Sequence, residues 1–600
     1  MHKRRPAASA LAVAWLLLNI GLIASAAQPE DEWYVVRIAG QRAGTMHQRT
    51  ERVVREGVPL FRTKAESLLT ISRLGAGMEL RTSSTCLETE AGDLLEVVSE
   101  LQFSTVPMKS EARVEDGHVV LKSYLGDNLS SVAERTIPFS GRLLGPEGIR
   151  RASEAGLKNP GDTVIVQSFL PELSKPVTVT QVLEGVELLP ESVPPREALR
   201  VTETNSAYPR KRTAWLDRSG RTLFSSDASP FGEMTTRLTT REDALSLSAP
   251  VDAAVLPFEQ ALARSNIRLP QARSIDAVTL RLERRNPALG SDWTDLSGPG
   301  QTVLEKTADH LILKVERSSP APQASVEEPP AGQDPADLDE FLRSNQYLDT
   351  QDEVLLKAVQ EALGRPGPEE LGDALGKALR LENWVTGRMK FDAGIAFAPS
   401  REVIRNARGT CAEHAVLLAA MLRATGIPSR ILTGYVYLNG VWGGHAWVEA
   451  RLGGAWVGLD AAVNGPGPAD AARFALVRSS LNDGLGELLS GGQGLLGNLQ
   501  VTVLSYALDG RTAVVDPAAP LYAVEENLYI NPGLGLRVLK PSGFVFENMD
   551  GIWPDNTLLV MEGPNGETIR ILQDAWRPGR DPEESAYLRL GDLVPGGRRS

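Results

Sequence analysis

Between Gly409 and Asp460 the chain sets a cysteine, a histidine and an aspartate in that order, each where the local pattern changes. Cys411 opens a helical run. Val416, Leu417, Ala420, Met421 and Ala424 recur at helical spacing, and Gly426 with Pro428 ends it. A thiol in a first helical turn faces unsatisfied backbone N–H groups and the positive end of the helix dipole, and both favour the thiolate. His445 and Asp460 fall on a predicted hairpin, residues 445–452 and 455–461. Ala446, Val448, Ala450 and Leu452 share one face with Ala455, Val457 and Leu459, and Gly453-Gly454 supplies a two-residue turn. That turn pairs Leu452 with Ala455, sets Trp447 opposite Asp460, and makes His445 a diagonal neighbour of the aspartate on the same face. The imidazole can then bond the carboxylate and offer its other nitrogen to Cys411. These are the parts of a thiol nucleophile, its base and an orienting acid.

Each residue taken singly has a blander reading. A lone cysteine in a helix is usually a small buried hydrophobe, and a histidine or aspartate on a hairpin is usually solvated. The order of the three and their convergent register favour a site. His414, three positions from Cys411 on the same helical side, is the local competitor for the base; no orienting acid stands near it, so it reads as a first-turn packing or hydrogen-bonding residue. Glu413 reads as an ordinary acid of the helix start. Trp384 and Trp442 could line a cleft, although aromatics at such positions are more often core.

The segments GTCAEH, GGHAW and WVGLD, joined by a helix and two strands, resemble the transglutaminase-like superfamily, a papain-related cysteine fold. The resemblance covers roughly residues 340–475. It implies Cys411 as nucleophile, His445 as base and Asp460 as third member, with no cofactor and no metal. Thr410 departs from the pattern, since many bacterial members carry an acid before the cysteine. The implied reaction is acyl transfer from amide or ester carbonyls. Water as acceptor gives a protease or amidase of envelope peptides, the favoured reading, and an amine gives cross-linking. A non-catalytic envelope scaffold or binding protein is the rival from another class.

The N-terminus reads as a secretory signal: HKRR, an apolar run Ala10–Ile23, and Ala24-Ser25-Ala26 as a cleavage site. Its removal takes away three basic residues and no acid, leaving 60 basic against 76 acidic residues, a net charge of −16. That balance disfavours nucleic acid and anionic membrane surfaces as partners. No later stretch is long enough to span a bilayer, so the expected product is exported, periplasmic or extracellular, without stable membrane insertion. Cys86 and Cys411 are the only cysteines, which excludes a disulfide framework.

The expected fold class is α+β and multidomain. Residues 1–26 are the signal peptide. Residues 27–245 hold many short alternating strands and form a β-rich, half-barrel-like sheet, a docking or structural surface more readily than a lipid or polysaccharide carrier. Residues 246–317 read as a small β module with a helical piece near Val251–Arg264, and 318–336 as a Pro- and acid-rich linker. The catalytic domain takes 337–515. Thr350 to Glu353 read as a capping box before its first helix, a second helix spans about 369–389, and Ser400 caps a short one. The glycine-rich run 486–498 reads as a surface loop. A C-terminal β-containing module takes 516–600, with a hairpin turning at Asn565-Gly566.

Overall fold

The computed structural model describes residues 30–572, apart from short stretches of which the longer are 126–132, 247–253, 256–261, 286–292, 320–335, 365–372, 489–494 and 548–556. The signal segment, most of the linker and the chain's final residues lie outside the described residues.

The chain begins with one large antiparallel sheet. Its order starts at Ala133–Pro138, returns through the first eight strands to Glu30–Ile38, crosses to Gly232–Thr239, and ends at Thr163–Leu170. Among the described residues the two end strands do not pair with each other, so the sheet is open and the half-barrel reading holds in form. Leu143 and Leu144 cross the opening, bridging to Gln167 and Asp93. The helix Pro146–Gly156 follows, and the buried Glu88 carboxylate accepts the N–H groups of Glu147 and Gly148 at its start. Period-two alternation builds the sheet: in Leu94–Gln102, buried Val97, Ser99 and Leu101 mark the inner face.

The second unit is built around a helix packed between other helices and a sheet. Its elements are β1 (Ala277–Arg284), α1 (Glu353–Leu363), α2 (Ala374–Arg388), α3 (Ser400–Asn406), α4 (Cys411–Ala424), β2 (Ser429–Leu438), β3 (Val441–Leu452), β4 (Ala455–Leu459), β5 (Arg473–Ser479) and β6 (Leu499–Leu508). Every residue of α4 from Cys411 to Arg423 is buried. An α-helix apolar on all sides is a core helix, and this one sits between α1, α2 and α3 and the face of β3 that carries Ala446, Val448 and Ala450. The same core continues into the N-terminal sheet through Tyr34, Ile38, Met46 and Leu69. Tyr347 Oη contacts Met108 Sδ at 2.8 Å across that junction. Further along β2, β3 and β5, Tyr435, Trp442 and Phe474 pack against β1 and β6 in a second core.

Several expectations need correction. Ala254–Val255 and Ala263–Arg264 are short strands where a helical piece was expected; the first pairs with Val58–Arg73 and the second with β3. The strands assigned to a separate small module join the second unit in one sheet, because β1 pairs with β6. Asp352, not Thr350, caps α1, its carboxylate accepting from Val354 and Leu355. Pro399 occupies the N-cap of α3 and Ser400 is its first residue. In the glycine-rich region Leu488 is buried in one core, as is Leu485 just before it, and Leu495 in another, so these residues are not on the surface. At the C-terminal end the strands Thr557–Glu562 and Thr568–Leu572 form the expected hairpin, with Gly566 at φ 85°. No helix among the described residues is long and apolar enough to cross a membrane.

Candidate active site

The start of α4 is fixed by its own first turn. The buried Glu413 carboxylate accepts the Thr410 N–H at 2.7 Å and the Thr410 hydroxyl at 2.8 Å, and its other oxygen accepts the Ala398 N–H. Glu413 is therefore a structural clamp as well as a helix-start acid. Gly409 before it has φ +152°, and a Cβ there would lie 2.3 Å from Glu413 Cβ, so glycine is required for this close approach. Cys411 follows as the first helical residue, beneath unsatisfied N–H groups.

The hairpin register is the one its glycines dictate. Gly453 and Gly454 both have positive φ, Leu452 pairs with Ala455, and Val448 pairs with Leu459. Asp460 lies one residue past the end of β4, which sets it beside His445 as the diagonal count required. His445 Nε2 donates to Asp460 Oδ2 at 2.7 Å. Nδ1 is buried with no other partner than the thiol that faces it. Cys411, His445 and Asp460 are 1%, 0% and 2% exposed, so their charges act in a dry setting where each is felt strongly. Trp447 stacks on the imidazole, its centroid 6.0 Å away and its plane tilted by 15°.

Electrostatics couple the three residues. Burial opposes a charge on His445, but the charges and hydrogen bonds of Asp460 and Cys411 outweigh it and raise the imidazole to about 9. Burial likewise opposes the Asp460 carboxylate, and His445 with Arg473 beside it hold that carboxyl far below the usual range. His414 is engaged elsewhere: its Nδ1 donates to the Thr410 carbonyl at 2.6 Å, and burial pushes its pKa down. A cavity of about 20 Å³ adjoins Cys411, lined by Tyr347, Phe397, Ala446 and Leu485 among others. Trp442 is fully buried in the second core, and Trp384 packs against the main core.

Two residues that touch Asp460 escaped the sequence reading. Arg473 Nη1 bonds Asp460 Oδ2, and Glu382 Oε1 accepts the Asp460 N–H at 2.5 Å. Their signal is a charge on a buried face: Glu382 lies beside Leu381 in the apolar stripe of α2, and Arg473 opens the buried strand β5. Among the described residues no group of three or more His, Cys, Asp or Glu side chains is arranged to hold a metal ion.

A cysteine heading a buried helix, packed on a sheet that carries a bonded histidine–aspartate pair, defines a cysteine-enzyme class. Residues 362–461 match the family model of the transglutaminase-like superfamily, and the chain carries a domain of that family. Among solved structures, a candidate cysteine protease from Cytophaga hutchinsonii is similar at 16% identity, over 41% of this chain and 93% of that one, with a TM-score of 0.25. A beta-barrel-like protein of a domain of unknown function from Brucella abortus is similar at 14% identity, over 37% and 98% of the chains, with a TM-score of 0.27. A candidate protease from Parabacteroides distasonis is similar at 14% identity, over 68% and 65%, with a TM-score of 0.16. No curated protein matches the chain.

Proposed function

We propose that this chain is an exported cysteine hydrolase that cleaves amide or ester bonds of envelope peptides through Cys411, His445 and Asp460. The observation that carries the reading is the coupling of a first-turn thiol to an imidazole whose far nitrogen is bonded to a buried carboxylate. His445 takes the thiol proton and Cys411 attacks the carbonyl carbon. The oxyanion is met by backbone N–H groups at the start of α4. As the tetrahedral adduct collapses, the bond to the leaving group breaks and His445 returns the proton to it, leaving a thioester on Cys411. Water, deprotonated by the same imidazole, then releases the acid and restores the thiol. Asp460 keeps the imidazole in the tautomer and orientation that both halves need.

The test is to incubate the protein with a peptide mixture from a cell envelope, quench in acid, and weigh the Cys411-containing peptide. A thioester adduct that decays in water supports hydrolysis, and one that decays only with added amine moves the reading to acyl transfer. No adduct and no turnover in a fully folded sample would leave the non-catalytic scaffold.

A further inference from the structure

Asp460 serves two partners with one oxygen. His445 Nε2 and Arg473 Nη1 share Oδ2, while Oδ1 accepts the N–H groups of Ala462 and Val463. Arg473 is itself held in place. Its Nη2 bonds Asp470 Oδ2, and Arg273 Nη1 lies 2.9 Å from the same carboxylate oxygen. The guanidinium stands 6.0 Å from the centroid of the Trp447 ring that stacks on His445. A row of alternating charges, Arg273, Asp470, Arg473 and Asp460, thus ends on the imidazole.

The charged and titratable groups around the pair come from every packed element: Glu382 from α2, Cys411 and His414 from α4, Arg473 from β5, and Asp470 and Arg273 from connecting segments. Of these, arginine alone keeps a fixed charge over the working pH range. A buried carboxylate facing only an imidazole would hold the imidazolium tightly and resist its giving the proton to a leaving group. An arginine on the same oxygen draws part of that charge away, and its second ion pair stops the carboxylate from turning.

We propose that Arg473 is a positioning residue for the Cys411–His445 pair, a guanidinium locked by Asp470 that aims Asp460 at the imidazole and moderates its hold on the proton. The proposal rests on the reading of Cys411 and His445 as nucleophile and base. Iodoacetate is a suitable probe, because its negative charge makes alkylation of Cys411 fall off as the imidazolium loses its proton.

The rate is followed against pH by intact mass in wild type, Arg473→Gln, Arg473→Lys, and the double variant Arg473→Gln with Asp470→Asn, which removes both charges of that pair so that Asp470 is not left charged without Arg473. Both glutamine-bearing variants are expected to move the alkaline limb upward by about half a pH unit or more, and Arg473→Lys to stay near wild type. A limb at the wild-type position in the folded double variant overturns the proposal and leaves Arg473 a structural residue. The separate control is His445→Ala. If its profile matches wild type, the limb is not the imidazole, and the underlying reading fails, taking the proposal with it.

Discussion

His445 and Asp460 are fifteen residues apart in sequence and 2.7 Å apart at their bonded atoms, because a two-glycine turn folds one strand onto the other in a single register. A slip by one residue would carry one of the two side chains to the face that packs on α4. The site is therefore as secure as the turn. A bond this short between two buried groups, one of which also faces a thiol, sets what substitutions should do.

Cys411→Ser is expected to abolish turnover, since a hydroxyl is a far weaker nucleophile than a thiolate. His445→Ala should cost about 10²- to 10⁴-fold in rate, the usual worth of a positioned general acid–base. It should also slow iodoacetamide alkylation of Cys411 at pH 6, because the cation that stabilises the thiolate is gone. Asp460→Asn should be the milder lesion in alkylation. Equal alkylation rates in wild type and His445→Ala from pH 5 to 8 would show that no ion pair exists.

The second cysteine supplies an internal control. Burial, reinforced by the nearby Glu88 charge, pushes the Cys86 thiol up to about 12, so almost none of it is thiolate near neutrality. The native protein treated with iodoacetamide at pH 7.5 should take its first label at Cys411. Peptide mass mapping decides this, and a first label on Cys86 would contradict the electrostatic account of both thiols.

What was legible in the sequence was local. Cys411 announced itself by a helix start, and His445 and Asp460 by alternation around Gly453-Gly454; all of these signals lie within a few residues of what they describe. The open N-terminal sheet was legible for the same reason, as repeated alternation between turn residues. The contacts that tune the site were not. Arg473 meets Asp460 across 13 residues and Glu382 across 78, and nothing in a single sequence marks which buried charges will meet. The pairing of β1 with β6 joins segments on either side of α4, which makes one sheet look like parts of two modules. The cap of α1 lies two residues beyond Thr350, since Thr350 and Asp352 are both good cap types and only the packed structure selects between them.

Export is the expectation that the basic start, the apolar run and Ala24-Ser25-Ala26 carry. N-terminal sequencing of the mature protein should begin at Ala27. Recovery of the protein from the cytoplasm with Met1 in place would remove the envelope from the proposed function while leaving the chemistry of Cys411 untouched.

Glu382 gives the clearest dependence of stability on pH. It is buried in α2 and accepts the Asp460 N–H; burial raises its carboxyl to about 7, the Asp460 hydrogen bond opposes this and the Asp460 charge adds to it. A carboxyl whose pKa is higher folded than unfolded holds its proton more tightly in the native state. Its contribution to stability is therefore complete below about pH 4.5 and is lost as pH climbs through 7. The loss is at most roughly 3–4 kcal/mol, from a shift of that size. Glu382→Gln keeps an acceptor oxygen for the Asp460 N–H and cannot ionise. The variant should match wild type in urea unfolding at pH 5 and exceed it at pH 8, with the gap opening between the two. A gap of the same size at both pH values would mean that Glu382 titrates as an ordinary surface acid, and that the charge balance around Asp460 is set without it.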